Sequence, residues 1–187
     1  MIKSHSKINL FLKVLKKNNK GLHNIQSSVM LLDLHDQISL KKINKKKDII
    51  KFIGQFKKHI SGSTNTISKS LFLLRKNKLI DENKKYKIIV NKKIPVFAGL
   101  GGGTSNAAFL IKYFLNNKVS ERLLKIFEEK IGSDLRLFFL NHSFQKNLKK
   151  ILSIKKKIIF YFILVYPNIK SSTKEVYSRV KKFNLPL

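Results

Sequence analysis

Apolar and polar residues alternate over residues 7–14, placing Ile8, Leu10, Leu12 and Val14 on one face, and a two-residue period of this kind predicts a strand. The polar run at 16–21 predicts a turn. A second strand region follows over 29–34 and continues through 36–40 after a bend. Residues 45–47 read as a basic turn and 49–53 as a short strand. Residues 61–65, rich in Ser, Thr and Asn, predict a loop that caps a helix over 66–76. A further strand is expected over 86–91.

Beyond a glycine-rich stretch, residues 104–116 carry Ala107, Ala108, Leu110, Ile111 and Phe114 at helical spacing, and Ser120 caps a second helix expected over 121–130. Residues 158–165, rich in aromatic and β-branched side chains, predict a buried strand, and Ser172 caps a helix expected over 173–182. The apolar stretch at 158–166 is well short of the roughly 20 residues a membrane-spanning helix needs. With no charged and apolar leader at the start, the expectation is a cytoplasmic chain without membrane contact. No internal repeat and no Gly-, Ser- or Pro-rich linker divides the sequence.

Composition changes this picture in two ways. Hydrophobic residues make up 43% of the 187, enough to bury a core, and the absence of cysteine excludes disulfides and thiolate metal sites. The net charge of +30 raises the question of a nucleic-acid partner. However, the excess is nearly all lysine, scattered along the chain and accompanied by heavy use of Ile, Asn and Phe. Arginine, the better reader of phosphates and bases, occurs only at 75, 122, 136 and 179. The charge therefore reads as compositional drift, and nucleic-acid binding on an α+β scaffold ranks last among the functional alternatives.

The segment richest in chemical information is Pro95-Val96-Phe97-Ala98-Gly99-Leu100-Gly101-Gly102-Gly103-Thr104-Ser105-Asn106-Ala107-Ala108, which holds four of the eight glycines in five positions. Glycines let successive backbone N–H groups converge on one anion, and Thr104 and Ser105 then open a helix whose N-terminus adds its positive dipole end. No Gly-Lys-Ser/Thr follows, so this is not a Walker loop, and the spacing is not the dinucleotide fingerprint. A bare turn needs one or two glycines rather than such a run. The loop is expected to cradle nucleotide phosphates.

With its neighbours, this loop resembles the signature of the GHMP small-molecule kinases, within them the branch acting on a cytidyl-methylerythritol alcohol. Further motifs follow in family order: Lys7-Ile8-Asn9-Leu10-Phe11-Leu12, Gly21-Leu22-His23 with Asp33-Leu34, Ile131-Gly132-Ser133-Asp134, and Tyr166-Pro167-Asn168 with Ser172-Thr173-Lys174-Glu175-Val176-Tyr177. The resemblance implies an α+β fold of two layers, a mostly antiparallel sheet with helices on one side, of a kind also found in ribosomal proteins. It divides the chain into an N-terminal ATP-binding domain over 1–150 and, over 151–187, the start of an incomplete C-terminal domain. That C-terminal part would leave an exposed apolar edge and would call for a complementing C-terminal chain.

The implied reaction moves the γ-phosphoryl of ATP, with Mg²⁺, to the 2-hydroxyl of the substrate, a step in isoprenoid precursor synthesis. In this comparison Asp134 is the general base and Lys7 its cationic partner. Ser105 and Thr104 touch phosphate, with Ser105 a possible Mg²⁺ contact. Asn65, Lys92 and residues 95–105 lie along the nucleotide, while Asn9, His23 and Tyr177 hold the substrate. The sequence departs from the family pattern at Phe97, at Leu22, at Leu135-Arg136, and in 145–150, where the family's Gly-x-Gly-Glu turn is missing. Read alone, Asp134 fits a helix cap as well as a base, Lys7 a solvated strand residue and His23 a surface residue. An inactive remnant of such a kinase is the main alternative.

Overall fold

The computed structural model describes residues 1–17, 23–58, 60, 65–147, 150–156, 158–167, 176, 178–180 and 182–187. Its spine is β2 (His23–Ile43), a single strand of 21 residues. Along one edge β2 pairs antiparallel with β1 (Ile2–Lys17). Its other edge is shared: residues 27–30 pair with β5 (His142–Gln145) and residues 37–43 with β4 (Lys85–Asn91), both antiparallel. The short strand β3 (Ile49–Ile53) adds to β4 in parallel, and β6 (Ile151–Ser153) adds to β5, giving the order β3-β4-β2-β5-β6 with β1 on the free edge of β2.

The bend expected near residue 35 is an irregularity in this ladder. Pairing steps from His5↔His35 to Lys7↔Leu31, so β2 uses two more residues than β1 at that point without breaking the strand. Between its β5 and β4 partners β2 is left with an uncovered edge over residues 31–36, closed in part by the Leu31 N–H donating to the Asn141 carbonyl.

Three α-helices form the second layer: α1 (Thr66–Lys76), α2 (Gly102–Phe114) and α3 (Glu121–Ile131). A short 3₁₀ turn over Leu135–Phe139 follows α3. Asn65 caps α1 as expected for a polar residue before an apolar period: its side chain accepts the Ser68 N–H at 2.9 Å, and the Ser68 hydroxyl oxygen accepts the Asn65 N–H at 3.2 Å. The Ser120 hydroxyl caps α3 by accepting the Leu123 N–H at 3.3 Å. Helix α2 starts two residues earlier than its apolar period predicts, inside the glycine run, because Gly101 in the left-handed conformation turns the chain straight into the first turn.

The core has two parts. Ile38, Tyr86, Ile88 and Val90 of the sheet pack against Ile67, Leu71 and Leu110 of α1 and α2. Between the helices lie Leu73, Leu74, Ala107, Ala108, Ile111, Leu124 and Phe127, joined by Leu135 and Phe138 of the 3₁₀ turn. Ala107 and Ala108 let α1 approach α2 closely, and the burial of Leu135 and Phe138 fixes where the chain emerges at Asp134.

Two expectations fail. The β5–β6 hairpin falls where no strand is predicted; its four and three residues are too short to show a period. The strand expected over 158–165 has no ladder partner among the described residues. Its odd positions stand out in solvent, with Tyr161 95% and Ile163 94% exposed, while Phe160, Phe162 and Leu164 are half-covered. That alternation suits an extended chain, but a strand exists only where a neighbour takes up its backbone hydrogen bonds. The helix expected over 173–182 falls largely outside the described residues. No helix of the described residues is long and apolar enough to cross a membrane.

Candidate active site

The glycine loop leaves β4 at Lys92 and reaches α2 at Gly102. Its backbone is held in the left-handed region at Phe97 (φ 62°), Gly99 (φ 73°) and Gly101 (φ 70°), every second residue of the loop. Left-handed residues recurring in this way can turn backbone N–H groups to one side, the kind of arrangement that makes an anion-binding concavity, and the loop ends at the N-terminus of a 13-residue helix. Phe97 is the one loop residue with a side chain in this region; its ring is half-exposed and does not enter the core.

The floor of the loop explains two glycines. A Cβ on Gly101 would meet the Phe138 ring at 2.7 Å and Lys7 Cγ at 3.3 Å. One on Gly102 would meet Ile94 at 3.0 Å and Lys92 Nζ at 3.2 Å. The loop thus rests directly on β1 and on the 3₁₀ turn, and the Lys7 N–H donates to the Leu100 carbonyl at 3.0 Å. The Thr66 hydroxyl ties α1 to it by donating to the Gly103 carbonyl at 2.7 Å.

Lys7 is the residue through which the parts of the site meet. Its side chain is buried, and Nζ lies 3.6 Å from an Asp134 carboxylate oxygen while donating to Asn9 Oδ1 at 2.7 Å. The Asn9 amide in turn donates to the Ser27 hydroxyl at 2.6 Å, which donates to the Phe11 carbonyl at 2.6 Å. Asp134 stands at the N-terminal end of the 3₁₀ turn, yet its side chain makes no capping hydrogen bond. The cap explanation for Asp134 therefore falls away. Its carboxylate is partly open to solvent and faces the ammonium.

Leu135-Arg136, a departure in sequence, has a structural account. Leu135 is fully buried in the inter-helix core, and Arg136 pairs with Glu121 at 2.5 Å and with Glu128 through two bonds of 3.0 and 3.1 Å. The two residues pin the turn that presents Asp134 to α3. Lys112 closes its other end by donating to the Phe138 carbonyl at 3.2 Å, with the ammonium 4.5 Å from the centre of the Phe109 ring.

Three of the expected site residues have partners within the protein. The Ser105 hydroxyl is fully buried and bonded to the Ser4 hydroxyl at 2.7 Å and the His5 carbonyl at 2.5 Å, so it fastens α2 to β1. Lys92 lies beneath the loop. Its ammonium is buried against the Asp36 carboxylate, which also accepts the Lys93 N–H at 2.7 Å and the Ile94 N–H at 2.9 Å. Burial lowers the Lys92 pKa, and Asp36 offsets this only in part. Asn65 acts through α1, as its cap. Thr104 lies in the first turn of α2 with its hydroxyl towards Gly132, where a Cβ would stand 3.7 Å away, so it does border the Asp134 segment. His23 is the first residue of β2, paired with Lys17; its side chain, like Tyr177 and Leu22, lies outside the described residues. Pro95, Val96 and Ala98 are half-buried along the loop.

Sequence reading missed Asp36, the partner that makes Lys92 structural. A signal was present, since an acidic residue is scarce in a chain of ten Asp and Glu against 40 Lys and Arg, but its partner is 56 positions away.

Comparison with known proteins agrees with this geometry. Residues 65–134, from the cap of α1 to Asp134, match the model of the GHMP kinases N terminal domain. A curated protein named 4-diphosphocytidyl-2-C-methyl-D-erythritol kinase from Pelagibacter ubique (strain HTCC1062) is 42% identical over 99% of this chain. The chain belongs to the GHMP kinase family. A protein of the same name from a Sulfurihydrogenibium species is 34% identical over 96% of the chain. The chain spans 66% and 64% of the length of these two relatives. Among solved structures, a 4-(cytidine 5'-diphospho)-2C-methyl-D-erythritol kinase superposes with a TM-score of 0.71 at 20% identity, covering 99% of this chain and 66% of its own. A homoserine kinase from Cytophaga hutchinsonii superposes at 0.64 with 17% identity, covering 96% and 62%. These likenesses confirm the α+β GHMP N-terminal fold, with the helices packed on one face of a mixed, mainly antiparallel sheet.

Proposed function

We propose that this chain carries the ATP-binding and phosphoryl-transfer half of a small-molecule kinase acting on a cytidyl-methylerythritol alcohol in the cytoplasm. The observation that carries the reading is the convergence of the glycine loop, Lys7 and Asp134. The glycine loop, a buried ammonium and the partly exposed carboxylate that it faces meet at one end of α2. Relatives that match nearly the whole chain are named for that reaction.

Phosphoryl transfer requires in-line positioning, neutralisation of oxygen charge and acceptance of the hydroxyl proton. The loop N–H groups would hold phosphate oxygens, Lys7 would stand between phosphate and carboxylate, and Asp134 would take the alcohol proton. ATP suits the loop because Gly99 faces open space, with nothing within 4 Å of an added Cβ, while Gly101 and Gly102 let the loop lie flat on Lys7, Phe138, Ile94 and Lys92. For Mg²⁺ the Ser105 hydroxyl is already engaged by Ser4 and His5, so Asp134 and Thr104 would be the nearer oxygen donors. Mg²⁺ commonly binds through one or two carboxylates, substrate phosphates and several waters. Asn9, oriented by Ser27, is the substrate-side residue that the geometry supports. The unit from residue 151 onward, and a complementing C-terminal chain, remain part of this proposal.

Isothermal titration with ATP, with and without Mg²⁺, tests the cradle in the wild type and in Gly102→Val. Binding that is weakened at least tenfold by the substitution is expected. Absence of binding, or equal binding by both proteins, would sink the reading. ³¹P NMR with ATP and the cytidyl-methylerythritol alcohol then reads transfer directly.

A further inference from the structure

His5, Asp33 and His35 come together at the irregular point of the β1–β2 ladder, and none of the three has a role in the proposed phosphoryl transfer. His5 and His35 are register partners on adjacent strands, with ring centroids 5.3 Å apart. A nitrogen of each ring and an Asp33 carboxylate oxygen all lie within 4.8 Å of one another. Asp33 lies two positions before His35 on β2, where the register becomes irregular, and its carboxylate stands 3.9 Å from His35 Nδ1.

Both rings are held by backbone carbonyls. His5 Nδ1 donates to the Leu32 carbonyl at 2.8 Å, and His35 Nδ1 donates to the Asp33 carbonyl. A carbonyl can only accept, so each Nδ1 carries a proton, and the neutral form of the ring offers Nε2 to an ion. The Asp33 carboxylate lies nearest His35 at Nδ1, so its side chain must swing towards Nε2 to close the site. Rings oriented by a backbone carbonyl through the non-ligating nitrogen are the usual outer support of a metal-bound imidazole. Phe109 of α2 packs on the His5 ring at 5.6 Å and limits its rotation. The Asp33 side chain is almost fully exposed and free to swing.

From this geometry we propose that His5, His35 and Asp33 form a site for a divalent transition metal of the zinc class. Two imidazoles and one carboxylate suit zinc, nickel, cobalt or copper rather than magnesium or calcium. Around a tetrahedral ion with bonds of about 2.0–2.1 Å the donors stand roughly 3.3 Å apart, so closure requires a modest contraction, which the exposed Asp33 can supply. Three protein ligands leave a coordination position for water. The ion would pin β1 to β2 beside Ser4 and Ser105, where α2 is fastened to the sheet.

Tag-free full-length protein titrated with Co²⁺, followed by visible absorption, tests the proposal without reference to kinase activity. The expected result is one Co²⁺ per chain with a ligand-field band, displaced by Zn²⁺. His35→Gln and, separately, Asp33→Asn should each weaken binding at least about tenfold, whereas His142→Gln should leave it unchanged. Asp33→Asn alters an exposed side chain and so reports even if His35→Gln fails to fold. No stoichiometric band, a band indifferent to both substitutions, or one abolished by His142→Gln overturns the site.

Discussion

Lys7 Nζ stands 3.6 Å from an Asp134 carboxylate oxygen, although 127 positions separate the two residues in the chain. Lys7 is placed by a buried strand and its N–H bond to Leu100, Asp134 by a turn whose next residues, Leu135 and Arg136, are locked to the helices. If Asp134 accepts the substrate proton, Asp134→Asn should lower the rate of phosphoryl transfer by about 10²–10⁴-fold. ATP affinity, measured by titration calorimetry, should change little. A variant with undiminished turnover would remove Asp134 from the chemistry.

Arg136 offers a way to separate positioning from chemistry. Arg136→Met deletes the pairs to Glu121 and Glu128 while leaving Lys7 and Asp134 in place. Reduced kcat with nearly unchanged ATP affinity is expected, together with a lower melting temperature, since Glu128 is only 18% exposed and loses its forked partner. Arg136→Lys should restore only part of the rate, because one ammonium cannot reproduce the forked contact to Glu128.

The glycines of the loop should differ in their sensitivity. Gly101→Ala must displace the Phe138 ring as well as hold a left-handed backbone, whereas Gly99→Ala meets nothing within 4 Å and carries only the backbone strain. Thermal melts should show a cost of about 1 kcal/mol for Gly99→Ala and a clearly larger one for Gly101→Ala. Equal costs would mean that the loop does not rest on Phe138.

The Lys92–Asp36 pair is buried on both sides, so removing one partner leaves an uncompensated charge under the loop. Asp36→Asn and Lys92→Met should each destabilise by about 3–5 kcal/mol. The double variant should lose less than the sum of the two. Denaturant unfolding of the four proteins provides the cycle.

Burial alone lowers the pKa of Lys112 from the ordinary 10.5. The folded chain therefore releases this proton at a lower pH than the unfolded chain, and between those two values the unfolded state binds more protons. The contribution of Lys112 to stability accordingly rises with pH. Wild type should gain on Lys112→Met as the pH approaches 10.5. A stability difference independent of pH would argue against the buried ammonium.

Local order determined much of this protein in the sequence alone. The period of residues 49–53, the Asn65 cap and the helix it starts, and the Ser120 cap are each decided within a few residues, and the structure keeps them. The glycine run announced the left-handed turns at Gly99 and Gly101 for the same reason: φ freedom belongs to the residue itself. Tertiary structure decided what depends on a distant partner. It turned Ser105 towards Ser4 and His5, buried Lys92 on Asp36, and gave residues 158–165 no neighbouring strand among the described residues. A hydroxyl, an ammonium or an apolar strand has no fixed role until something meets it, and the nearest sequence neighbours do not say what that will be. Lys7 and Asp134 were legible through motif resemblance, but only the packing of β1 under the loop brought them within one site.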